Sequence, residues 1–210
     1  MIAIIDYGVG NLFSLKSSFA YIGEEAIVTS DQKKIAECDR IILPGVGAFG
    51  DAVNKLRAAE LDQVVIREAE KGKPLLGICL GMQLLFEKSL EYGEHAGLGL
   101  IPGAVVPMRG VVPDAYKVPH IGWNALQFPK DKPRSALYKN IREGDHVYFV
   151  HSYYADECDP WISAVTEYGS RITASAENGN VFGTQFHPEK SSRTGLQILK
   201  NFAELEGGKG

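Results

Sequence analysis

The chain has 210 residues, of which 45% are hydrophobic and 23% are charged. These proportions are those of ordinary globular proteins, and the length allows one domain or at most two small ones. The formal net charge is -4. Since there is no basic surplus to neutralise a phosphate backbone, the composition argues against nucleic acid as the main partner.

The three cysteines, Cys38, Cys79 and Cys158, are too widely spaced for a disulfide framework or a CxxC metal motif. The apolar start at 1–6 is short and lacks a basic region, so it does not resemble a signal peptide. The apolar stretch at 75–86 is interrupted by polar residues and glycine and is too short to span a bilayer. We therefore expect a soluble, cytoplasmic protein that does not contact a membrane.

In the first half of the chain, short apolar runs alternate with helical periodicity. The predicted strands are 2–5, 26–28, 40–43 and 74–78, and the predicted helices are 12–22, two within 48–71, and 80–88. Strands that alternate with helices in this way indicate βαβ units and a parallel sheet that is covered on both faces.

The second half is irregular at first and then rich in predicted strands, at 146–150, 162–168, 172–177 and 181–186. Asn178-Gly179 predicts a hairpin between the last two of these strands. A final helix is predicted from an apolar stripe that comprises Leu196, Ile198, Leu199, Phe202 and Leu205. The predicted fold is a three-layer α/β sandwich around a mainly parallel sheet with antiparallel additions. It forms a single domain over 1–206, followed by a flexible tail over 207–210.

The segment GVGAFG at 45–50 matches GxGxxG, follows a predicted strand and begins a predicted helix. A dinucleotide fingerprint also requires an acidic residue at the end of the next strand, about 20 residues further on. The next predicted strand leads instead into Gly-Ile-Cys at 77–79. We therefore interpret 45–50 as a tight turn whose backbone N–H groups face outward and could hold an anion other than phosphate.

The segment GICLG at 77–81 has the G-x-nucleophile-x-G pattern, with Cys79 in the place of serine. Small flanking residues allow a strained elbow that raises the sulfur above the strand ends, at a helix N-terminus that favours the thiolate. The Leu80 N–H would then point toward an oxyanion formed beside the sulfur. A buried structural role is the usual one for an isolated cysteine, and we assign it to Cys38 and Cys158.

A cysteine nucleophile requires a base and a group that orients the base. Of the five histidines, only His187 follows a predicted strand with a carboxylate, Glu189, at close fixed spacing. Pro188 favours an extended conformation at His187, which lets Glu189 hold one ring nitrogen while the other faces Cys79. A metal site of the facial-triad type lacks its distal histidine, and an exposed, idle His-Pro-Glu remains open at this point.

Three segments carry a resemblance to class I (triad) glutamine amidotransferases: PGVG at 44–47, GICLGMQ at 77–83 and FHPEKS at 186–191. Their order and separation fit that family, and the similarity extends from DYG at 6–8 to the last helix. Two more segments, PHIGWN at 119–124 and YFVHSY at 148–153, are similar to those of one subfamily, the glutaminase subunits of imidazole glycerol phosphate synthases.

The resemblance implies catalysis by Cys79, His187 and Glu189 through a glutamyl thioester. The implied oxyanion donors are the N–H of Leu80 and an N–H from the segment Gly45, Val46 and Gly47. The implied contacts to the α-amino and α-carboxylate groups of glutamine come from Gln83 and from the backbone around Ser152 and Tyr153. Two glycines flank Val46, so we expect this backbone to reorient and to supply the second donor only when the enzyme is active.

Free ammonia would be protonated in bulk water, so a partner must receive it through a closed path. The resemblance implies that this partner is a cyclase (synthase) subunit with a (β/α)8 barrel, which forms a heterodimer with the chain in histidine biosynthesis. Trp123 and Asn124 are predicted at the interface, with core packing as the alternative for Trp123. No cofactor and no metal are expected.

Two alternative functions stay open. The first is another enzyme with the same triad, either the glutaminase of pyridoxal phosphate synthesis or a cysteine hydrolase that acts on a different amide. The second is a non-catalytic binding protein on this fold.

Overall fold

The computed structural model describes residues 1–205. The helices are α1 (Leu12–Tyr21), α2 (Gln32–Glu37), α3 (Phe49–Ala58), α4 (Leu61–Glu70), α5 (Leu80–Leu84) and α6 (Ser192–Ala203). The strands are β1 (Ile2–Ile5), β2 (Ala26–Thr29), β3 (Arg40–Gly45), β4 (Leu75–Cys79), β5 (Phe86–Ser89), β6 (His95–Ala96), β7 (Ile101–Pro107), β8 (His120–Ala125), β9 (His146–His151), β10 (Tyr153–Asp156), β11 (Ile162–Glu167), β12 (Arg171–Asn178) and β13 (Val181–Thr184).

A seven-stranded sheet with the order β11-β12-β13-β4-β3-β1-β2 forms the centre of the fold. The five strands from β13 to β2 are parallel, whereas β12 pairs antiparallel with both β13 and β11. Strand β1 is buried along its whole length, as is typical of a parallel strand covered on both faces. The predicted parallel sheet with antiparallel additions is confirmed.

The helices form a layer on each face of this sheet. Helices α3 and α4 pack on one face through residues such as Phe49, Leu56 and Val65. Helices α1 and α6 pack on the other face, where Phe19 and Phe202 are fully buried. The predicted three-layer arrangement is therefore confirmed, and the carboxyl ends of β3 and β4 meet at one edge between the layers.

The helix predicted at 80–88 is wrong in its second half. Helix α5 ends at Leu84, and the chain continues as strand β5, which pairs with β6 and β7. These strands and β10 form a second, four-stranded sheet that the sequence did not predict. This sheet depends on contacts between segments that are apart in the chain. For example, Gly97, which follows β6, packs so closely on β5 that a Cβ there would lie 2.1 Å from the Phe86 carbonyl oxygen.

Other differences are local. Helix α2 was not predicted, although Asp31 caps it by accepting hydrogen bonds from the N–H groups of Lys33 and Lys34. The β12–β13 hairpin is confirmed, but its turn consists of Gly179 and Asn180, because Asn178 still pairs with Val181.

The predicted last helix is confirmed as α6, which ends at Ala203, two residues before Leu205. The single domain over 1–206 stays a prediction, and the tail predicted at 207–210 lies outside the described residues. Over residues 1–205, the structure contains no helix long and apolar enough to cross a membrane.

Candidate active site

Cys79 lies at a strained corner between β4 and α5. It is the last residue of β4 and the N-cap of α5, with φ 54° and ψ -113°. A non-glycine residue in such a region costs about 1–3 kcal/mol and persists only when its surroundings impose it. The elbow predicted from the GxCxG spacing is therefore present, and it places the sulfur beside the N-terminus of a helix.

Three glycines make this corner sterically possible. A Cβ on Gly81 would lie 1.8 Å from the carbonyl oxygen of Leu43 in β3, and a Cβ on Gly77 would lie 2.6 Å from the carbonyl oxygen of Gly81. A Cβ on Gly45 would lie 2.7 Å from the backbone nitrogen of Gly81. The first turn of α5 thus packs directly against the backbone of β3, and no side chain other than hydrogen fits at these positions.

His187 and Glu189 meet as predicted. His187 has an extended backbone, with φ -96° and ψ 100°, and its Nδ1 lies 2.9 Å from Glu189 Oε1. Both side chains are buried, with 3% and 1% exposure. Ser191 fixes the loop, because its hydroxyl donates to the carbonyl oxygen of His187 at 2.6 Å and accepts from the N–H of Tyr148 at 2.9 Å.

The protonated form of His187 is favoured by its neighbours. Burial lowers the pKa of the imidazole, but hydrogen bonds with Cys79 and Glu189, together with their negative charges, outweigh burial and raise the pKa to about 9. The imidazole therefore holds a proton at neutral pH, beside the sulfur. This arrangement suits a ring that donates its proton to a leaving group beside the sulfur.

A second histidine near the sulfur does not compete for this role. His151 is buried, which lowers its pKa to about 3, and its Nδ1 donates to the Tyr153 carbonyl oxygen at 2.8 Å. His120 lies next to it, with Nδ1 3.0 Å from His151 Nε2, and burial lowers the pKa of His120 as well. Burial therefore disfavours the charged form of both rings, whereas the neighbours of His187 favour its charged form.

A cleft of about 380 Å³ opens above Cys79 and His187. Six more of the predicted site residues line it: Val46, Gly47, Leu80, Gln83, Ser152 and Tyr153. Gly45 does not line the cleft, because it lies beneath it against the elbow. Lining residues that sequence reasoning did not single out are Glu91, Pro119, Val150, His151 and Lys190.

The GxGxxG-like segment at 45–50 forms one wall of this cleft through Val46 and Gly47, and it is not a dinucleotide site. Val46 is 42% exposed, and Gly47 has a φ of 95° with no atom within 4 Å of the position of a Cβ. The backbone at these two residues therefore has room to rotate beside the sulfur.

Gln83 and Gln185 form a buried pair under the cleft. The Gln83 amide donates to Gln185 Oε1 at 3.0 Å and to the Tyr153 carbonyl oxygen at 3.2 Å. The Gln185 amide in turn contacts Cys79 Sγ at 3.8 Å. Gln185 was missed, and the one available signal was its position two residues before His187 at the end of a predicted strand. The amide nitrogen of Gln83 is thus occupied within the protein, so only the rest of its side chain is left to face a ligand.

The two predicted interface residues lie outside the cleft. Trp123 is 49% exposed and packs its ring edge against Tyr148, at 6.0 Å between ring centroids, so the core-packing alternative is wrong. The amide of Asn124 is used within the chain: its Oδ1 lies 2.8 Å from His120 Nε2, and its Nδ2 donates to the Glu167 carbonyl oxygen at 3.0 Å. The interface role of Asn124 stays a prediction, because contacts within the chain do not test it.

The facial-triad metal site that we considered as an alternative lacks a set of ligands within residues 1–205. Within residues 1–205, no three His, Cys, Asp or Glu side chains lie close enough together to hold a metal ion.

The family model "Glutamine amidotransferase class-I" matches residues 3–205. The chain therefore belongs to the class I glutamine amidotransferases, and the elbow and the His187–Glu189 pair lie within the matched region.

Curated relatives narrow the similarity further. The chain is 52% identical over 206 residues to imidazole glycerol phosphate synthase subunit HisH of Caldanaerobacter subterraneus subsp. tengcongensis, covering 98% of both chains. It is 50% identical over 202 residues to the protein of the same name from Bacillus cereus, covering 96% of this chain and 93% of that one.

Solved structures share the fold at low identity. The crystal structure of a glutamine amidotransferase superposes with a TM-score of 0.74 at 18% identity, covering 98% of this chain and 100% of that one. The glutaminase domain of Trypanosoma brucei CTPS with bound acivicin gives a TM-score of 0.66 at 20% identity, covering 98% and 94% of the two chains.

Proposed function

We propose that the chain is the glutaminase subunit of an imidazole glycerol phosphate synthase, which hydrolyses glutamine and passes ammonia to a synthase subunit. The observation that carries this proposal is the strained Cys79 elbow beside His187, in a chain about half identical to HisH subunits over nearly its full length.

In the first half-reaction, the Cys79 thiolate attacks the side-chain amide carbon of glutamine. A C–S bond forms, and the carbonyl electron pair moves to the oxygen. When this tetrahedral oxyanion collapses, the C–N bond breaks, and the nitrogen takes the proton that His187 holds and leaves as ammonia. The raised pKa of His187, about 9, supports its role as this proton donor, and Glu189 keeps the ring oriented.

In the second half-reaction, the glutamyl thioester is hydrolysed. His187, now neutral, takes a proton from a water molecule whose oxygen attacks the thioester carbon. The second tetrahedral oxyanion expels the thiolate of Cys79, and glutamate is released. The new carboxylic acid loses its proton on release, so the sum is glutamine and water giving glutamate, ammonia and a proton, and the enzyme returns to its starting state.

The oxyanion requires donors on the side of the sulfur that faces the cleft. The N–H of Leu80, the first residue of α5, supplies one because helix N-termini present free N–H groups. The peptide around Val46 and Gly47 supplies the second after it reorients, and its exposure and open surroundings support that movement.

The cleft suits the charges of an amino acid. Its lining includes one carboxylate, Glu91, and one ammonium, Lys190. We assign the α-amino group of glutamine to the side near Glu91. Its α-carboxylate is assigned to the backbone of Ser152 and Tyr153, with Gln83 packed below.

The acceptor of ammonia is a synthase subunit, which we propose has a (β/α)8 barrel and forms a heterodimer with this chain. Trp123 supports an interface on the β8 side of the molecule, because large exposed aromatic residues are typical interface anchors. A non-catalytic binding protein would not require the strained backbone at Cys79, which argues against that alternative. The glutaminase of pyridoxal phosphate synthesis would pass ammonia to a different acceptor, and the relatives that we compared are HisH subunits.

The experiment is a glutaminase assay on the free chain, on the complex with a candidate synthase subunit, and on the complex with its nucleotide substrate. We expect little glutamate from the free chain and a rise of about a hundred- to thousand-fold in the loaded complex, which is the effect of one oxyanion donor. Equal rates in all three states would contradict the reorientation, and no glutamate release in any state would contradict the function.

A further inference from the structure

Helix α3 begins directly after the Val46–Gly47 segment, and its own sequence does not cap it. The N-cap residue, Ala48, has the extended backbone of a cap, with φ -87° and ψ 141°, but no side chain that accepts a hydrogen bond. The first helical N–H, that of Phe49, donates instead to Glu91 Oε2 at 2.6 Å. A carboxylate at this position satisfies a free N–H and complements the positive end of the helix dipole.

Glu91 is held in place by the turn between β5 and β6. Its backbone N–H donates to the hydroxyl of Ser89 at 3.2 Å. On the other side of the turn, the ring of His95 lies over α3, where a Cβ on Gly50 would be 2.9 Å from its Cε1. This turn therefore packs against the first turn of α3, and these contacts hold the Glu91 backbone in place while its carboxylate contacts the helix.

The other end of the Val46–Gly47 segment is fixed by different contacts. Gly45 packs against the backbone of Gly81 at the elbow, and the Tyr7 hydroxyl donates to the Pro44 carbonyl oxygen at 2.7 Å. Val46 and Gly47 thus lie between two fixed points, the elbow at one end and the start of α3 at the other.

We propose that Glu91 is a positioning residue for the oxyanion site: by capping α3 from across the cleft, it fixes the end of the segment that carries the second oxyanion donor. This inference rests on the proposed glutaminase function. Glu91 also lines the cleft. The carboxylate that caps α3 is therefore the same one to which we assign the ammonium group of glutamine. Without the cap, the first turn of α3 opens more often and the donor peptide loses its fixed end.

The test has a readout that does not depend on activity. The first hydrogen bond of α3 joins the Ala52 N–H to the Ala48 carbonyl oxygen at 3.1 Å, so hydrogen exchange at Ala52 in the full chain reports opening of this turn. Glu91→Ala is expected to speed that exchange by about 2- to 30-fold, the range that loss of a helix cap produces. Glu91→Gln, which keeps an acceptor oxygen, is expected to have a smaller effect.

A compensating substitution separates capping from ligand binding. Ala48→Ser in the Glu91→Ala background places a hydroxyl at an N-cap that already has the right backbone. We expect it to restore slow exchange at Ala52 and kcat of the loaded complex, but not KM for glutamine. Glu94→Ala is the matched control, because Glu94 lies in the same turn, pairs with the exposed Lys88 and does not line the cleft. It is expected to change neither exchange nor kcat.

Unchanged exchange at Ala52 in Glu91→Ala would overturn the capping role, whatever the glutaminase rate. Restored exchange without recovery of kcat in the double variant would overturn the link from the cap to the oxyanion site. A wild-type complex that releases no glutamate would instead refute the proposed function and leave the exchange result intact.

Discussion

Replacing Gly81 with alanine tests whether the elbow depends on direct backbone packing. The new Cβ would lie 1.8 Å from the Leu43 carbonyl oxygen and 2.8 Å from the Leu43 carbonyl carbon. Neither backbone can withdraw easily, because Gly45 and Cys79 at the ends of β3 and β4 are paired in the same sheet. The substitution must therefore displace α5, the sulfur or both.

The magnitude follows from the kind of atom that the new methyl group meets. Overpacking in a core costs about 1–3 kcal/mol, and more when the obstacle is backbone. Alanine in a helix recovers about 1 kcal/mol relative to glycine. Taking the upper end of the overpacking range, we expect a net loss of about 2 kcal/mol, which for a chain of this size lowers Tm by roughly 4–8 °C. Displacement of the sulfur by about 1 Å should reduce glutaminase activity by about 100-fold.

Gly183→Ala is the matched control. Gly183 is also buried beside α5, but its Cβ would meet the Met82 side chain, 2.5 Å from Cγ. A methionine side chain can change rotamer, so the expected cost is about 1 kcal/mol and activity is retained. Thermal unfolding by circular dichroism and a glutaminase assay of the complex measure both effects. Equal stability and activity of the two variants would refute the argument that backbone packing defines the elbow.

Four further predictions concern the proposed chemistry and partner. Cys79→Ala should abolish glutamine-dependent synthesis by the complex, by at least about 10⁴-fold, while synthesis from added ammonium and the Tm of the chain persist. His187→Asn should reduce turnover more than Glu189→Gln, because the ring moves protons in both half-reactions and the carboxylate orients it. The pKa of His187, about 9, is above its ordinary value of 6.5. Its contribution to folding stability is therefore complete below pH 6.5 and is lost as the pH rises through 9. An NMR titration of His187 should show a midpoint near 9, and this midpoint should be lower in Cys79→Ala. Trp123→Ala should weaken binding of the synthase subunit by about 30-fold, measured by calorimetry, without changing the Tm of the free chain.

Specific results would contradict these predictions, and a Glu189→Gln variant that turns over more slowly than His187→Asn would contradict the assigned roles of the two residues. Glutamine-dependent turnover in Cys79→Ala would exclude that residue as the nucleophile. A His187 titration midpoint that is unchanged in Cys79→Ala would mean that the thiol does not raise its pKa. A Trp123→Ala variant that binds the partner normally would place the interface elsewhere on the surface.

Local patterns were enough for the elements whose cause is local. The apolar runs of β1 and β4 are buried along their whole length, and the helical patterns of α1, α3, α4 and α6 predicted these helices. The elbow was also predictable, because glycine spacing around Cys79 reports a steric requirement of the backbone itself. Segment 84–89 was not, because its apolar residues fit a helix equally well and only pairing with β7 makes it a strand.

The sequence by itself determined most strands of the central sheet, the elbow and the pairing of His187 with Glu189, since each follows from residues close together in the chain. The order of those strands joins distant segments and came from the tertiary structure. The tertiary structure decided what surrounds them: Gln185 against the sulfur, Glu91 on the first N–H of α3, and the neutral His151 beside the cleft. These contacts join segments that are 42 residues or more apart. Hydrophobic periodicity is a local property of the sequence, so it does not predict which distant side chain will contact a free N–H or a buried thiol. The fold brings them together because parallel strands collect the ends of separate βα units at one edge of the sheet.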